Sequence, residues 1–308
     1  MQVLTTIRDF IRWGSSEFLR HELTFGHGFV SAFDEARYLV LHALALPYDW
    51  PDDYLDTVLT LPEREQVIDI LQLRVKSRQP AAYITRESWF CGLKFYVDER
   101  VLVPRSPIAE LISSGFEPWV DSSRVHRILD LCSGSGCIAI AAKYQFPGAE
   151  ICASDVSLDA LEVARMNLEL HDLSNDVTLY ESDLFDAIPL QQFDVIVCNP
   201  PYVDAEDMVS LSDEYRYEPE IGLRAGEDGL LMVDRILVRA GEFLSEHGVI
   251  FIEVGNSQLA MERKYDFLPM TWVEFEFGGG GVCCIQSADL KQQQPAIVAI
   301  ASKPRKSI

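Results

Sequence analysis

The sequence predicts an α/β protein: a seven-stranded, mostly parallel, doubly wound sheet, preceded by a small all-helical domain and a β-hairpin connector. Two observations carry that expectation. After Pro104, apolar runs of strand length alternate with stretches of helical period, the pattern of βα units whose helices cover both faces of a sheet. Before it, residues 1–87 show helical period. A third observation places a site: a glycine-rich turn follows the first strand of the sheet, and Asn199-Pro200-Pro201-Tyr202 follows the fourth.

With 308 residues, two domains of unequal size are expected. A hydrophobic share of 48% beside 24% charged residues is ordinary for a soluble globular enzyme. No apolar run approaches the roughly 18 to 20 residues needed to span a bilayer. The N-terminus lacks the basic start and apolar core of a signal peptide, so a cytoplasmic protein is expected. The net charge of −22 repels phosphate backbones and argues against an extended nucleic-acid footprint. It suits a basic protein partner or solubility alone, and a locally neutral pocket still admits a base. The seven cysteines (Cys91, Cys132, Cys137, Cys152, Cys198, Cys283 and Cys284) form no CxxC pair and no zinc spacing with histidine, so no metal is expected. They read as small buried hydrophobes in a reducing compartment.

In the helical domain, Ile7, Phe10, Ile11 and Phe18 share one face, as do Val67, Ile70, Leu71 and Val75. Pro62 followed by Glu63 and Glu65 is a helix start. His21-Glu22 lacks the second histidine of a zinc-protease helix, because Phe25 stands there. The domain carries no catalytic cluster and reads as a recognition module. Residues 88–103 are aromatic and β-prone, from Trp89 to Val97 and again at Val101-Leu102-Val103, and predict a hairpin shaping the site's wall.

From residue 104 to 308, strands are expected at Val125–Leu131, Glu150–Ser154, Val177–Tyr180, Phe193–Cys198, Val249–Val254, Thr271–Phe277 and Val282–Ile285. Helices fit Ile138–Tyr144, Leu158–Leu170, Leu230–Leu244 and part of 257–265. The last two strands, joined through Gly278–Gly281, predict an antiparallel edge hairpin remote from the chemistry. The apolar Ala296–Ala301 stretch has no assigned place.

Asp130-Leu131-Cys132-Ser133-Gly134-Ser135-Gly136-Cys137 leaves a strand and opens a helix, with glycines that let a ligand approach the backbone. Gly134-x-Gly136-x-x-Ala139 also fits a relaxed dinucleotide fingerprint. Asp130 tilts the reading elsewhere: a strand-end carboxylate opposes a pyrophosphate and suits an ammonium group. Asp155 ends the second strand roughly 20 residues on, where an acid accepts ribose hydroxyls; capping the next helix, together with Ser157, is the plain alternative. At the third strand's end, Asp183 can accept an exocyclic amine and Leu184 can pack on a purine ring, or both simply form a turn. At the fourth, two prolines stop the ladder, so an Asn amide, a rigid carbonyl and an aromatic face form a clamp for a planar amide or amine. A bare strand followed by a Pro-rich loop is its alternative. Four consecutive strand ends so equipped line one crevice at the carboxyl edge, where ligands of open α/β sheets bind.

This set resembles a Rossmann-like class I S-adenosylmethionine-dependent methyltransferase. The helical domain, hairpin and Asn-Pro-Pro-Tyr narrow the resemblance to the protein N5-glutamine methyltransferases, over about Ile7 to Leu290. Val103-Pro104-Arg105-Ser106-Pro107-Ile108-Ala109-Glu110 and Glu253-Val254-Gly255-Asn256-Ser257 are similar to the branch acting on the third large-subunit ribosomal protein, whereas the release-factor branch usually shows Pro-Arg-Pro-Asp-Thr-Glu. Cys132-Ser133 departs from the family's frequent Gly-Thr, though small residues preserve the geometry. The resemblance implies S-adenosyl-L-methionine as cofactor, leaving as S-adenosyl-L-homocysteine, bound by Asp130, Cys132, Ser133, Gly134, Ser135, Gly136, Asp155, Asp183, Leu184 and Asn199. It implies a substrate site of Asn199, Pro200, Pro201, Tyr202 and Arg105, with Asn199, Pro200 and Tyr202 catalytic. The Asn199 oxygen and Pro200 carbonyl would accept the two amide N–H bonds, localising the lone pair, and Tyr202 would pack on the amide plane. The implied partner is a ribosomal protein, free or in an assembling large subunit. Three alternatives stay open: the same reaction on release factors, N6-adenine methylation of nucleic acid, and a non-catalytic scaffold that binds the cofactor.

Overall fold

A computed structural model describes residues 4–302; residues 1–3 of the expected helical domain and 303–308 of the expected sheet domain lie outside that range. Four helices build the N-terminal lobe: α1 (Ile7–Arg20), α2 (Ala32–Ala43), α3 (Leu61–Ser77) and α4 (Ala81–Thr85). Their starts follow from the sequence. Thr6 with Asp9, and Thr60 with Glu63, are capping boxes, and Pro62 stands in the first turn of α3. Ile7, Phe10, Ile11, Phe18, Val67 and Leu71 are buried in the lobe's own core, while Ile70 and Val75 pack at its margin. Arg74, on α3, is fully buried against Glu35 of α2.

The hairpin is β1 (Glu87–Phe90) and β2 (Leu93–Tyr96), paired antiparallel. Cys91 and Gly92, with φ of 49° and 73°, make the two-residue turn whose twist matches the strands. Val101-Leu102-Val103 runs on as a non-strand segment along the cavity described below.

The remaining elements are α5 (Ile108–Ser113), β3 (Arg127–Leu131), α6 (Cys137–Gln145), β4 (Glu150–Asp155), α7 (Leu158–Leu170), β5 (Val177–Glu181), β6 (Phe193–Cys198), α8 (Ala205–Ser210), α9 (Leu231–Phe243), β7 (Leu244–Glu253), α10 (Gln258–Lys264), β8 (Thr271–Trp272), β9 (Val282–Gln286) and α11 (Ser287–Ala301). The seven strands lie in the order β5-β4-β3-β6-β7-β9-β8, with β9 antiparallel to both of its neighbours, β7 and β8. Both faces are covered, so the central strands are mostly apolar, with Asp130 on β3 and Asp194 on β6 among the exceptions. Ile128, Val195 and Val197 join the core that includes α5 and α6; Leu129, Ile196 and Cys198 join the one that includes α9, α10 and α11. The Ala296–Ala301 stretch is the end of α11, whose Leu290 and Ile297 are buried in the second of these cores.

Two expectations are corrected. The strand predicted over Thr271–Phe277 stops at Trp272: only Val273 N–H still reaches the Val282 carbonyl, at 2.9 Å, and the N–H groups of Glu276 (2.9 Å) and Phe277 (3.1 Å) go to the Glu110 carboxylate of α5 instead of a strand partner. The strand predicted from Val249 begins at Leu244, pairing with Phe193 across a register shift. No helix among the described residues is long and apolar enough to cross a membrane.

Candidate active site

The parallel strands all end on one edge, and the loops leaving them enclose a cavity of about 730 Å3. After β3 the backbone turns left-handed at Cys132, Gly134 and Gly136. A Cβ on Gly134 would meet nothing within 4 Å, so it would project into the open cleft that a ligand needs. The Gly134 N–H donates to Asp155 Oδ2 and the Ser157 N–H to Oδ1, each at 2.9 Å, so Asp155 at the end of β4 braces the glycine turn while lining the cavity. Ser157 caps α7 through its own hydroxyl. Burial pushes the Asp155 carboxyl above its ordinary value, against the pull of those backbone donors.

Of the sequence-derived cofactor residues, Cys132, Ser133, Gly134, Ser135, Asp155, Asp183, Leu184 and Asn199 line the cavity. Asp130 and Gly136 do not line it. Strand alternation turns Asp130 to the same face as Ile128, over the start of α6. There Oδ2 accepts the Ala139 N–H at 3.1 Å and Oδ1 has no partner. Its complete burial raises the carboxyl well above its ordinary value, against the pull of the Ala139 N–H. Gly136 faces Ala164 of α7, 3.2 Å from where its Cβ would lie. After β5, Leu184 has φ of 53° and Asp183 is paired with Arg235 of α9 at 2.8 Å.

At the end of β6, Asn199 is partly exposed and Pro200 buried, and both line the cavity. Neither the Asn199 amide nor the Pro200 carbonyl has a hydrogen-bond partner among the described residues. Tyr202 is held at its hydroxyl, its carbonyl and one edge of its ring, and it lines the cavity. Its hydroxyl donates to Glu253 Oε1 at 3.0 Å, its carbonyl accepts from Ser257 Oγ at 3.1 Å, and its ring lies 2.6 Å from where a Gly255 Cβ would stand. Burial pushes the Tyr202 phenol well above its ordinary value, with Glu253 adding to it, so the hydroxyl keeps its proton and donates. Arg105 lines the same wall. Both its terminal nitrogens bind the buried Glu218, Nη2 to Oε2 at 2.7 Å, and its guanidinium sits 5.5 Å over the Tyr215 ring. Its charge is therefore already paired.

Sequence reasoning missed Ser106, Glu218, Tyr215 and the role of Glu253. An acid at the carboxyl end of the fifth parallel strand is the signal that marks Glu253 without a structure. The glycine stretch at 278–281 is also closer than expected: Gly279 and Gly280 line the cavity, and a Cβ on Gly281 would fall 2.4 Å from the Gly255 carbonyl oxygen. The helical lobe reaches the site through the turn at 213–218. Thr24 N–H donates to Glu214 at 3.1 Å, Arg78 pairs with Glu214 at 2.8 Å, and the His27 ring lies tilted against Tyr215, its centroid 4.3 Å away.

A glycine turn and a ribose-type acid beside a clamp of unpartnered acceptors suit a methyl donor and an amide together, and comparison with known proteins agrees. A family model described as Methyltransferase small domain matches residues 117–213. A ribosomal protein uL3 glutamine methyltransferase of Xanthomonas campestris pv. campestris is 47% identical over 300 residues, 97% of this chain and 97% of that one. One of Francisella tularensis subsp. tularensis is 45% identical over 294 residues, 95% of this chain and 94% of that one. Identity of that extent, running through lobe, hairpin and sheet alike, means that the chain belongs to the ribosomal protein uL3 glutamine methyltransferase family.

Proposed function

We propose that this chain methylates the side-chain amide nitrogen (N5) of a glutamine in ribosomal protein uL3, using S-adenosyl-L-methionine. The observation that carries this reading is the pair of unpartnered acceptors, the Asn199 amide and the Pro200 carbonyl, on the wall of the cavity that the glycine turn opens into. The donor would lie along Cys132–Ser135, Asp155, Asp183 and Leu184, and when bound it supplies a methyl group on an electrophilic sulfonium.

The chain's own residues supply orientation. An amide nitrogen is a poor nucleophile because its lone pair is delocalised into the carbonyl. Asn199 Oδ1 and the Pro200 carbonyl accept its two N–H bonds, which holds the lone pair on one side, and Pro201 fixes the direction of that carbonyl by its rigid ring. Tyr202 bounds the amide plane. Arg105, neutralised by Glu218, shapes the wall. The amide gives up one proton in exchange for the methyl, and no strong base is required beside it. The cytoplasm, where uL3 is free or joining a large subunit, is the proposed compartment. The lobe of residues 1–87 is proposed to read the substrate, the 88–103 segment to connect it and residues 104–308 to carry the transfer. The net charge of −22 favours a basic ribosomal protein over nucleic acid.

The test incubates the full chain and radiolabelled cofactor with purified uL3, release factors and ribosomal RNA separately, then locates the label by peptide mapping. Label on a uL3 glutamine amide is expected. Label on a release factor alone would move the substrate, and label on RNA alone would reject the amide.

A further inference from the structure

Three consecutive residues, Arg105-Ser106-Pro107, are gripped by three different parts of the chain. Arg105 is bound by Glu218, and Pro107 packs where a Gly279 Cβ would come within 2.9 Å of it. The middle residue makes the more telling contact. Ser106 Oγ donates to Glu253 Oε2, while the other carboxylate oxygen, Oε1, accepts the Tyr202 hydroxyl at 3.0 Å. Glu253 is only 5% exposed and Ser106 7%, so this bridge is shielded from water, yet it borders the cavity beside the Asn199–Tyr202 clamp. A buried carboxylate is costly to keep unless it is hydrogen-bonded, and here each oxygen has one side-chain donor. The backbone here does not use the acid: the β7–β9 ladder is satisfied by backbone, and Val254 N–H is taken by the Gly281 carbonyl at 2.7 Å.

We infer that Glu253, oriented by Ser106, is a positioning residue for methyl transfer: it anchors the Tyr202 hydroxyl and so sets where the ring meets the substrate amide. The inference rests on the glutamine-methylating reading above. The bridge reaches the substrate amide through Tyr202, so its effect on kcat vanishes once the phenol hydroxyl is gone. A group that merely stabilised the fold would act whether or not that hydroxyl were present.

The experiment is a double-mutant cycle with the full chain, uL3 as substrate, and cofactor affinity measured by calorimetry. Glu253→Gln and Tyr202→Phe should each lower kcat about tenfold or more while the Kd for S-adenosylmethionine stays within about twofold. The double variant should be no worse than the poorer single by more than about twofold. Ser106→Ala, a milder change, should lower kcat less and should have no effect in the Tyr202→Phe background. Losses that multiply in the double variant would overturn the inference, as would a Glu253→Gln loss that follows cofactor affinity rather than kcat. Failure of the wild type to label a uL3 glutamine would instead reject the functional reading, and the inference with it.

Discussion

Asn199 carries hydrogen-bonding capacity that the described residues leave unused. Its amide is left without a partner among the described residues at the end of a strand whose preceding residue, Cys198, is completely buried. A polar group left free beside so rigid an element is available for a ligand. Replacing Asn199 by alanine should leave the Kd for S-adenosylmethionine within about threefold. It should lower kcat/KM for uL3 by roughly 100-fold or more, since orientation of a weak nucleophile is lost. Steady-state kinetics beside calorimetry separates the two, and near-normal turnover would remove Asn199 from the mechanism.

Among the elements, α7 decides whether the glycine turn keeps its shape. Asn167, on α7 and completely buried, accepts the Tyr96 N–H at 2.7 Å and donates to the Tyr96 carbonyl (3.0 Å) and the Ser135 carbonyl (2.9 Å). One side chain thus ties the hairpin to the turn that opens α6. Asn167→Ala strands those three backbone groups and should cost about 2–3 kcal/mol in urea unfolding, with weaker cofactor binding beside it. A loss below about 0.5 kcal/mol would show that other contacts hold the turn. Sequence reasoning read α7 over the correct residues from its helical period, but Asn167 looked like any polar helix position. Its partners lie 32 and 71 residues away, and no local pattern reports them.

Across the whole molecule, the lobe and the catalytic sheet meet at a buried charged cluster. His27 is 3% exposed, neither ring nitrogen has a hydrogen-bond partner, and Glu218, Glu214, Arg105, Arg74 and Tyr215 surround it. Burial lowers its pKa to about 4, outweighing the attraction of Glu218. A depressed histidine binds its proton less readily folded than unfolded, so it leaves stability unaffected at neutral pH and erodes it as pH falls from about 6.5 towards about 4. His27→Phe, which keeps a ring against Tyr215, lacks that term. Relative to this variant, the wild type should lose about 2 kcal/mol between about pH 7.5 and about pH 5. Chemical denaturation of both proteins at the two pH values measures it, and parallel pH profiles would count against the cluster as described.

The local sequence determined the strand ends and the residue types at them, because strand and helix periods and proline or glycine stops act within a few residues. That was enough to place Gly134, Asp155, Leu184 and Asn199 around one crevice. Tertiary structure decided which side chains face that crevice. Strand alternation and the position of α6 turned Asp130 under the loop, and the buried Glu218 took up the charge of Arg105. The meeting of residues 105–107, 253–257 and 278–281 set Glu253, Ser106 and the glycine stretch beside Tyr202. The Arg105–Glu218 and Ser106–Glu253 contacts join segments more than a hundred residues apart, and their energy comes from burial and hydrogen-bond satisfaction that only the packed molecule creates.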